Sequence, residues 1–177
     1  MTRRSWFFLL FVVFAPSVHA SNGHLLVRFD GAIGVIPVSN VATNADGTFA
    51  SVNRNIVRGV NPAGQIWVIA ALRADVEADG RFRVRGRGLL LGGGNNIGLS
   101  NNARVFATLI CENAATAPQF STNNAGVPLA VNGDFRIDDV LATVPVNCPS
   151  PVLLIRNAAN GGWFAAGIPD FKDEDDD

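Results

Sequence analysis

An all-β fold, arranged as a single two-sheet antiparallel β-sandwich of seven or eight strands with one disulfide, is predicted by three features of this sequence. Short apolar runs alternate with Gly-, Asn- and Asp-rich turn signals, no stretch carries a long helical period, and two cysteines stand 37 positions apart. The 177 residues hold one ordinary domain.

The first element is a targeting segment. Arg3 and Arg4 precede an apolar run of nine residues (6–14), and Val18 and Ala20 supply the small residues before Ser21. A secretory signal peptide over 1–20 is expected, cut after Ala20, so that the protein is secreted to the periplasm or the exterior. The short basic region and greasy core fit the general secretory route better than the twin-arginine one. Crossing a bilayer takes about 20 apolar residues, so no transmembrane segment is expected in the mature chain.

A β-sandwich domain is expected over 21–172, with strands at 24–29, 32–38, 65–77, 81–91, 103–111, 133–142 and 151–156, and an eighth at 163–168. Residues 111–126 and 156–162 read as loops, and 173–177 (DEDDD) as a solvated acidic tail. Cys111 and Cys148 are the only cysteines. In an exported chain they form one disulfide, worth on the order of 4 kcal/mol in the chain-entropy account.

One turn recurs as ADGTF (45–49), ADGRF (78–82) and VNGDF (131–135). Asp/Asn-Gly supplies the positive φ of a tight hairpin, and the following Phe points inward. A three-residue loop, Ala78-Asp79-Gly80, opposes Glu77 to Arg81, Val76 to Phe82, Asp75 to Arg83 and Ala74 to Val84, so every pair matches in kind. A two-residue loop would set Glu77 against Phe82, because a one-residue slip exchanges the faces of a strand.

In that register Arg81 and Arg83 belong to a cross-strand charge ladder that sets register and solubility. Farther along, Arg73 meets Arg85 and Arg87 meets Ala71, with no acid near. Ile69 then meets Leu89 and Trp67 meets Leu91 on the same face, while Ile66, Val68 and Leu90 take the inner face. Either another element covers Trp67, Ile69, Leu89 and Leu91, or these residues form a contact surface with Arg73, Arg85 and Arg87. Trp and Arg are the residue types that dominate binding hot spots.

Catalytic schemes are limited by inventory. Only His24 remains beyond residue 20, so a nucleophile–histidine pair lacks its base, and no His or thiol cluster suits zinc. LLLGGGNNIG (89–98) lacks both the dinucleotide spacing and the lysine of a phosphate loop. Asp134, Asp138 and Asp139 are the remaining candidates. Asp134 and Asp138 sit about 13 Å apart along one strand face, too far for a glycosidase pair. No catalytic residue, metal or cofactor is therefore expected. Without residues 1–20 the chain has 12 basic and 15 acidic residues, a balance unlike that of polyanion binders, so no nucleic-acid partner is expected.

Residues 111–156, with a Cys ending one strand, VPL…GDFRI leading the next and a second Cys before PVLLIR, resemble a loose group of small exported bacterial proteins of unknown function. That resemblance implies a disulfide-tied β domain and transfers no functional residue. The expected function is a non-enzymatic binding or interaction module with a protein or glycan partner. Its alternatives are a carboxylate-dependent hydrolase and a structural envelope component.

Overall fold

The computed structural model describes residues 24–171; the expected signal peptide and the acidic stretch 173–177 lie outside the described residues. Thirteen strands follow in order: β1 (Leu25–Gly34), β2 (Val38–Thr43), β3 (Phe49–Arg54), β4 (Trp67–Val68), β5 (Ala71–Glu77), β6 (Arg81–Arg87), β7 (Leu90–Leu91), β8 (Arg104–Ile110), β9 (Gln119–Ser121), β10 (Val127–Pro128), β11 (Phe135–Val140), β12 (Val152–Asn157) and β13 (Trp163–Pro169). The all-β class and the Cys111–Cys148 disulfide are as expected.

Nine strands form one antiparallel sheet in the order β10-β8-β12-β13-β1-β5-β6-β11, with β9 also on β8. β2–β3 and β4–β7 are separate two-stranded sheets. The large sheet curls into a half-barrel whose end strands β10 and β11 come into contact. Across that gap Asp139 accepts the Asn123 amide at 2.6 Å. A bulge in β1 between Phe29 and Ala32, with Gly31 at φ 88°, adds to the bend. The two-sheet sandwich expected from the sequence is not what forms: one curled nine-stranded sheet and two small ribbons take its place. Strand number and alternation are the same for a sandwich and a curled sheet, and only the long-range pairing tells them apart.

The sheet has two unlike halves. In β5 and β6 burial alternates: Leu72, Ala74, Val76, Phe82 and Val84 face the core, and the residues between them face outward. In β8 and β12 both faces are covered, so that Leu153, Leu154 and Ile155 are all fully buried. Segment 55–63 is tied to the start of β13: Trp163 Nε1 donates to the Asn55 carbonyl at 3.0 Å and Ala63 N to the Trp163 carbonyl at 3.0 Å. Arg58 locks the end of β8 by donating to the Ile110 and Ser150 carbonyls and, at 2.7 Å, to Ser150 Oγ. The disulfide ties the same corner, with Cα atoms 4.4 Å apart.

The three repeated turns are built alike. Gly47, Gly80 and Gly133 have φ of 84°, 91° and 80°. In each, the glycine amide donates to the carbonyl three residues back, at 3.0, 2.9 and 2.9 Å. The preceding side chain accepts the amide after the glycine: Asp46 from Thr48 at 2.9 Å, Asp79 from Arg81 at 3.1 Å and Asn132 from Asp134 at 3.2 Å. Phe82 and Phe135 point inward as expected. The first turn joins β2 to β3, a hairpin absent from the predicted strands.

Gly86 follows Phe82 and Val84 on the inward face of β6, and it is glycine for a packing reason. It lies directly opposite Phe135, and a Cβ there would fall 2.0 Å from the ring. Gly86→Ala should therefore lower stability by about 1–3 kcal/mol, read as a fall in melting temperature that Phe135→Leu partly restores.

Candidate functional site

The described chain contains 11 arginines, and their partners sort them by task. Four hold backbone carbonyls: Arg54 takes Pro62, Arg58 takes Ile110 and Ser150, Arg104 takes Ala125 and Gly126, and Arg156 takes Gly161. Five pair with acids: Arg28 with Asp75 at 2.8 Å, Arg73 with Asp30 at 3.2 Å, Arg81 with Asp79 at 2.8 Å, Arg83 with Glu77 at 3.0 Å and Arg136 with Asp138 at 3.2 Å. The Asp75 bond raises the pKa of Arg28, while burial lowers that of Arg58. Arg85 and Arg87 do neither. Among the described residues no acid or carbonyl meets them, and both are exposed.

Sheet register explains why. The three-residue Ala78–Gly80 loop sets the β5–β6 pairing as Val76–Phe82, Asp75–Arg83, Ala74–Val84, Arg73–Arg85 and Ala71–Arg87. Extending this across the neighbouring strands gives two outward-facing rows of four. The first runs Arg28, Asp75, Arg83, Asp138, so opposite charges alternate throughout. The second runs Asp30, Arg73, Arg85, Arg136, so one acid is followed by three cations on adjacent strands. Arg87 extends the cluster. Asp134 is nearby, but its Oδ1 accepts the Gly88 amide at 3.1 Å and its Oδ2 the Asn132 side-chain amide at 3.0 Å. Like charges set directly opposite destabilise a sheet, and a charge left alone on its surface gains nothing to offset this. The cluster rims an open depression of about 850 Å³ whose lining also includes Ala70, Ala71 and Gly86.

The residues expected beside these arginines are elsewhere. Pairing follows the expected register, with Trp67 opposite Leu91, but the faces do not. Residues 69–70 and 88–89 leave the ladder, Gly88 adopts φ 65°, and Leu89 N donates to the Gly133 carbonyl. Beyond this break the β4–β7 ribbon turns over. Trp67 is 5% exposed and stacks on Phe164 with ring centres 3.9 Å apart. Leu89 and Leu91 are buried and Ile69 is half-buried, while Ile66 and Val68, expected inside, are exposed. Of the two alternatives for Trp67, Leu89 and Leu91, the structure shows cover. Alternation carries sidedness along a strand only while the backbone stays extended.

Arg73, Arg85 and Arg87 remain together, and Arg136 joins them. Arg136 shares the exposed face of β11 with Asp138, but nothing local in the sequence says that β11 lies beside β6. Asp138 stands between Arg83 and Arg136, and Asp139 bonds the Asn123 and Val140 amides. Among the described residues no group of three His, Cys, Asp or Glu side chains suits a metal, and no helix is long and apolar enough to cross a membrane. Comparison with protein-family models, with curated proteins and with solved structures finds no match.

Two outcomes follow. Trp67→Ala should cost about 3–5 kcal/mol in urea unfolding, as expected for a buried aromatic. Arg85→Glu, which restores alternation between Arg73 and Arg136, should stabilise the fold by a few tenths of a kcal/mol to about 1 kcal/mol at low salt, and by less at high salt.

Proposed function

We propose that this protein is an exported, non-enzymatic binding module that holds an anionic polysaccharide on the outer face of β1, β5, β6 and β11. The observation that carries this reading is the break in charge alternation, which leaves Arg85, between Arg73 and Arg136, and Arg87 beside it without partners among the described residues. Stability alone favours continuing the alternation of the neighbouring row. A stretch of sheet kept less stable than it need be is a common mark of a working surface.

The floor of the depression narrows the class of partner. Its Ala and Gly residues, with the Phe135 ring turned inward to the core, offer no exposed aromatic face for stacking bases or neutral sugars. The same floor lacks the large apolar anchor typical of a protein interface. Attraction is left to guanidinium forks, which pair well with carboxylate or sulfate groups. The chain-wide charge balance argued against a polyanion; segregation of charge within one face supplies what the average conceals. A disulfide supports export, since such bonds persist in oxidising compartments.

Heparin, polygalacturonate, neutral dextran, polyglutamate and single-stranded DNA, each immobilised, provide the test. The full chain should be retained on heparin or polygalacturonate and released by salt, while dextran should not retain it. Arg85→Glu with Arg87→Glu should abolish retention without lowering the melting temperature. Each single Arg→Ala change should reduce the log–log salt slope by about one. Retention unchanged in the double variant, or tighter on polyglutamate or DNA than on either acidic polysaccharide, would sink the reading.

A further inference from the structure

A second site stands apart from the arginine face, around Arg156 on β12. Its guanidinium lies over the ring of Phe106, its direct cross-strand partner on β8, at 5.1 Å from the ring centre. Nε donates to the Gly161 carbonyl at 2.7 Å, and Nη1 donates to Gln119 Oε1 at 2.8 Å and Thr108 Oγ1 at 3.3 Å. A guanidinium has five N–H groups, so these three bonds leave both hydrogens of Nη2 without a partner among the described residues. No buried side-chain nitrogen of the described chain lacks a partner, which places Nη2 at the solvent boundary. That boundary is a cleft of about 940 Å³ between β9, the 122–124 segment, residues 139–143 and the 158–161 turn.

The charge of this cleft is unbalanced at one point. Arg156 is half-buried, and burial pushes its pKa down, so the cation lacks both full hydration and a counter-charge. Asp139, the acid that shares the cleft, makes no ion pair with it and bonds the Asn123 and Val140 amides. The neighbouring carboxamides are oriented by the backbone. Asn123 Oδ1 accepts the Ala125 amide at 2.9 Å, and Asn160 Oδ1 accepts the Gly162 amide at 3.0 Å. Their NH₂ groups remain as donors, and no hydrogen bond among the described residues uses them. Cation and donors together ask for an acceptor carrying negative charge.

We infer that this cleft binds a small organic molecule through a single carboxylate, held by Arg156 Nη2 and the side-chain amides of Asn123 and Asn160. One guanidinium nitrogen matches one negative charge, and Asp139 in the same cleft repels a phosphate dianion more than a monoanion. Phe120 supplies a half-buried apolar wall for the rest of the ligand. The site does not depend on the polysaccharide reading, because it shares no residue with the arginine face.

Titration of the ¹⁵N-labelled full chain with glucuronate at constant ionic strength tests it, with glucose as the matched neutral control and inorganic phosphate as the competing anion. Saturable shifts of the Asn123 and Asn160 side-chain amides are expected with glucuronate and not with glucose. Arg156→Gln should abolish them. Because that change also removes structural bonds, Asn124→Asp serves as the second variant: it adds a charge at the exposed rim, where the native side chain makes no bond. It should weaken glucuronate about fivefold or more and leave the melting temperature in place. Arg85→Glu should leave the titration unaltered. Equal shifts with glucose, shifts with phosphate alone, no shifts at all, or undiminished affinity in Asn124→Asp would overturn the inference.

Discussion

Gly80 turns the chain in a left-handed conformation that only glycine takes without strain, and the register of half the sheet descends from that turn. Its amide closes on the Glu77 carbonyl, and its own carbonyl accepts the Leu141 amide, so the turn is also seated against the segment that leaves β11. A Cβ on Gly80 would come within 2.8 Å of Val144. With the loop held at three residues, Val76 and Phe82 pack together in the core and Asp75 meets Arg83 outside. A slip by one residue would place Phe82 in water and an arginine in the core, at a cost of several kcal/mol. The charge rows on β1, β5, β6 and β11 are this register read sideways.

Arginine supplies most of the polar fastening, and its chemistry explains the near absence of lysine. A planar fork can reach two carbonyls at once, as Arg58 and Arg104 do, whereas an ammonium group holds its hydration shell and lacks that geometry. The guanidinium of Arg156 sits over the ring of Phe106. Against that background of engaged guanidinium groups, the idleness of Arg85, Arg87 and Arg156 Nη2 becomes informative. Donors left over after the fold is satisfied mark where a ligand can be met.

The two surfaces also differ in physical kind. The arginine face is open and hydrated, so its attraction is long-ranged, screened by salt and tolerant of sequence along a polymer. The Arg156 cleft is concave and partly desolvated, so a single charge there weighs more and shape limits what enters. They call for different ligands for that reason.

From its order of residues alone, this chain determined the β class, the three Asx-Gly turns, the pairing of Arg73 with Arg85 and Trp67 with Leu91, and the disulfide between its two cysteines. Each rests on contacts that are short in sequence or on an inventory that allows one solution. Tertiary structure alone decided the rest. Whether strands close into one curled sheet, whether β11 lies beside β6, and which way the β4–β7 ribbon faces depend on pairing between distant segments, and on two residues per strand that step out of the ladder at Ala70 and Gly88. Alternation is a local rule about an extended backbone, and once the backbone bends, the side on which Trp67 emerges is set by what packs against it.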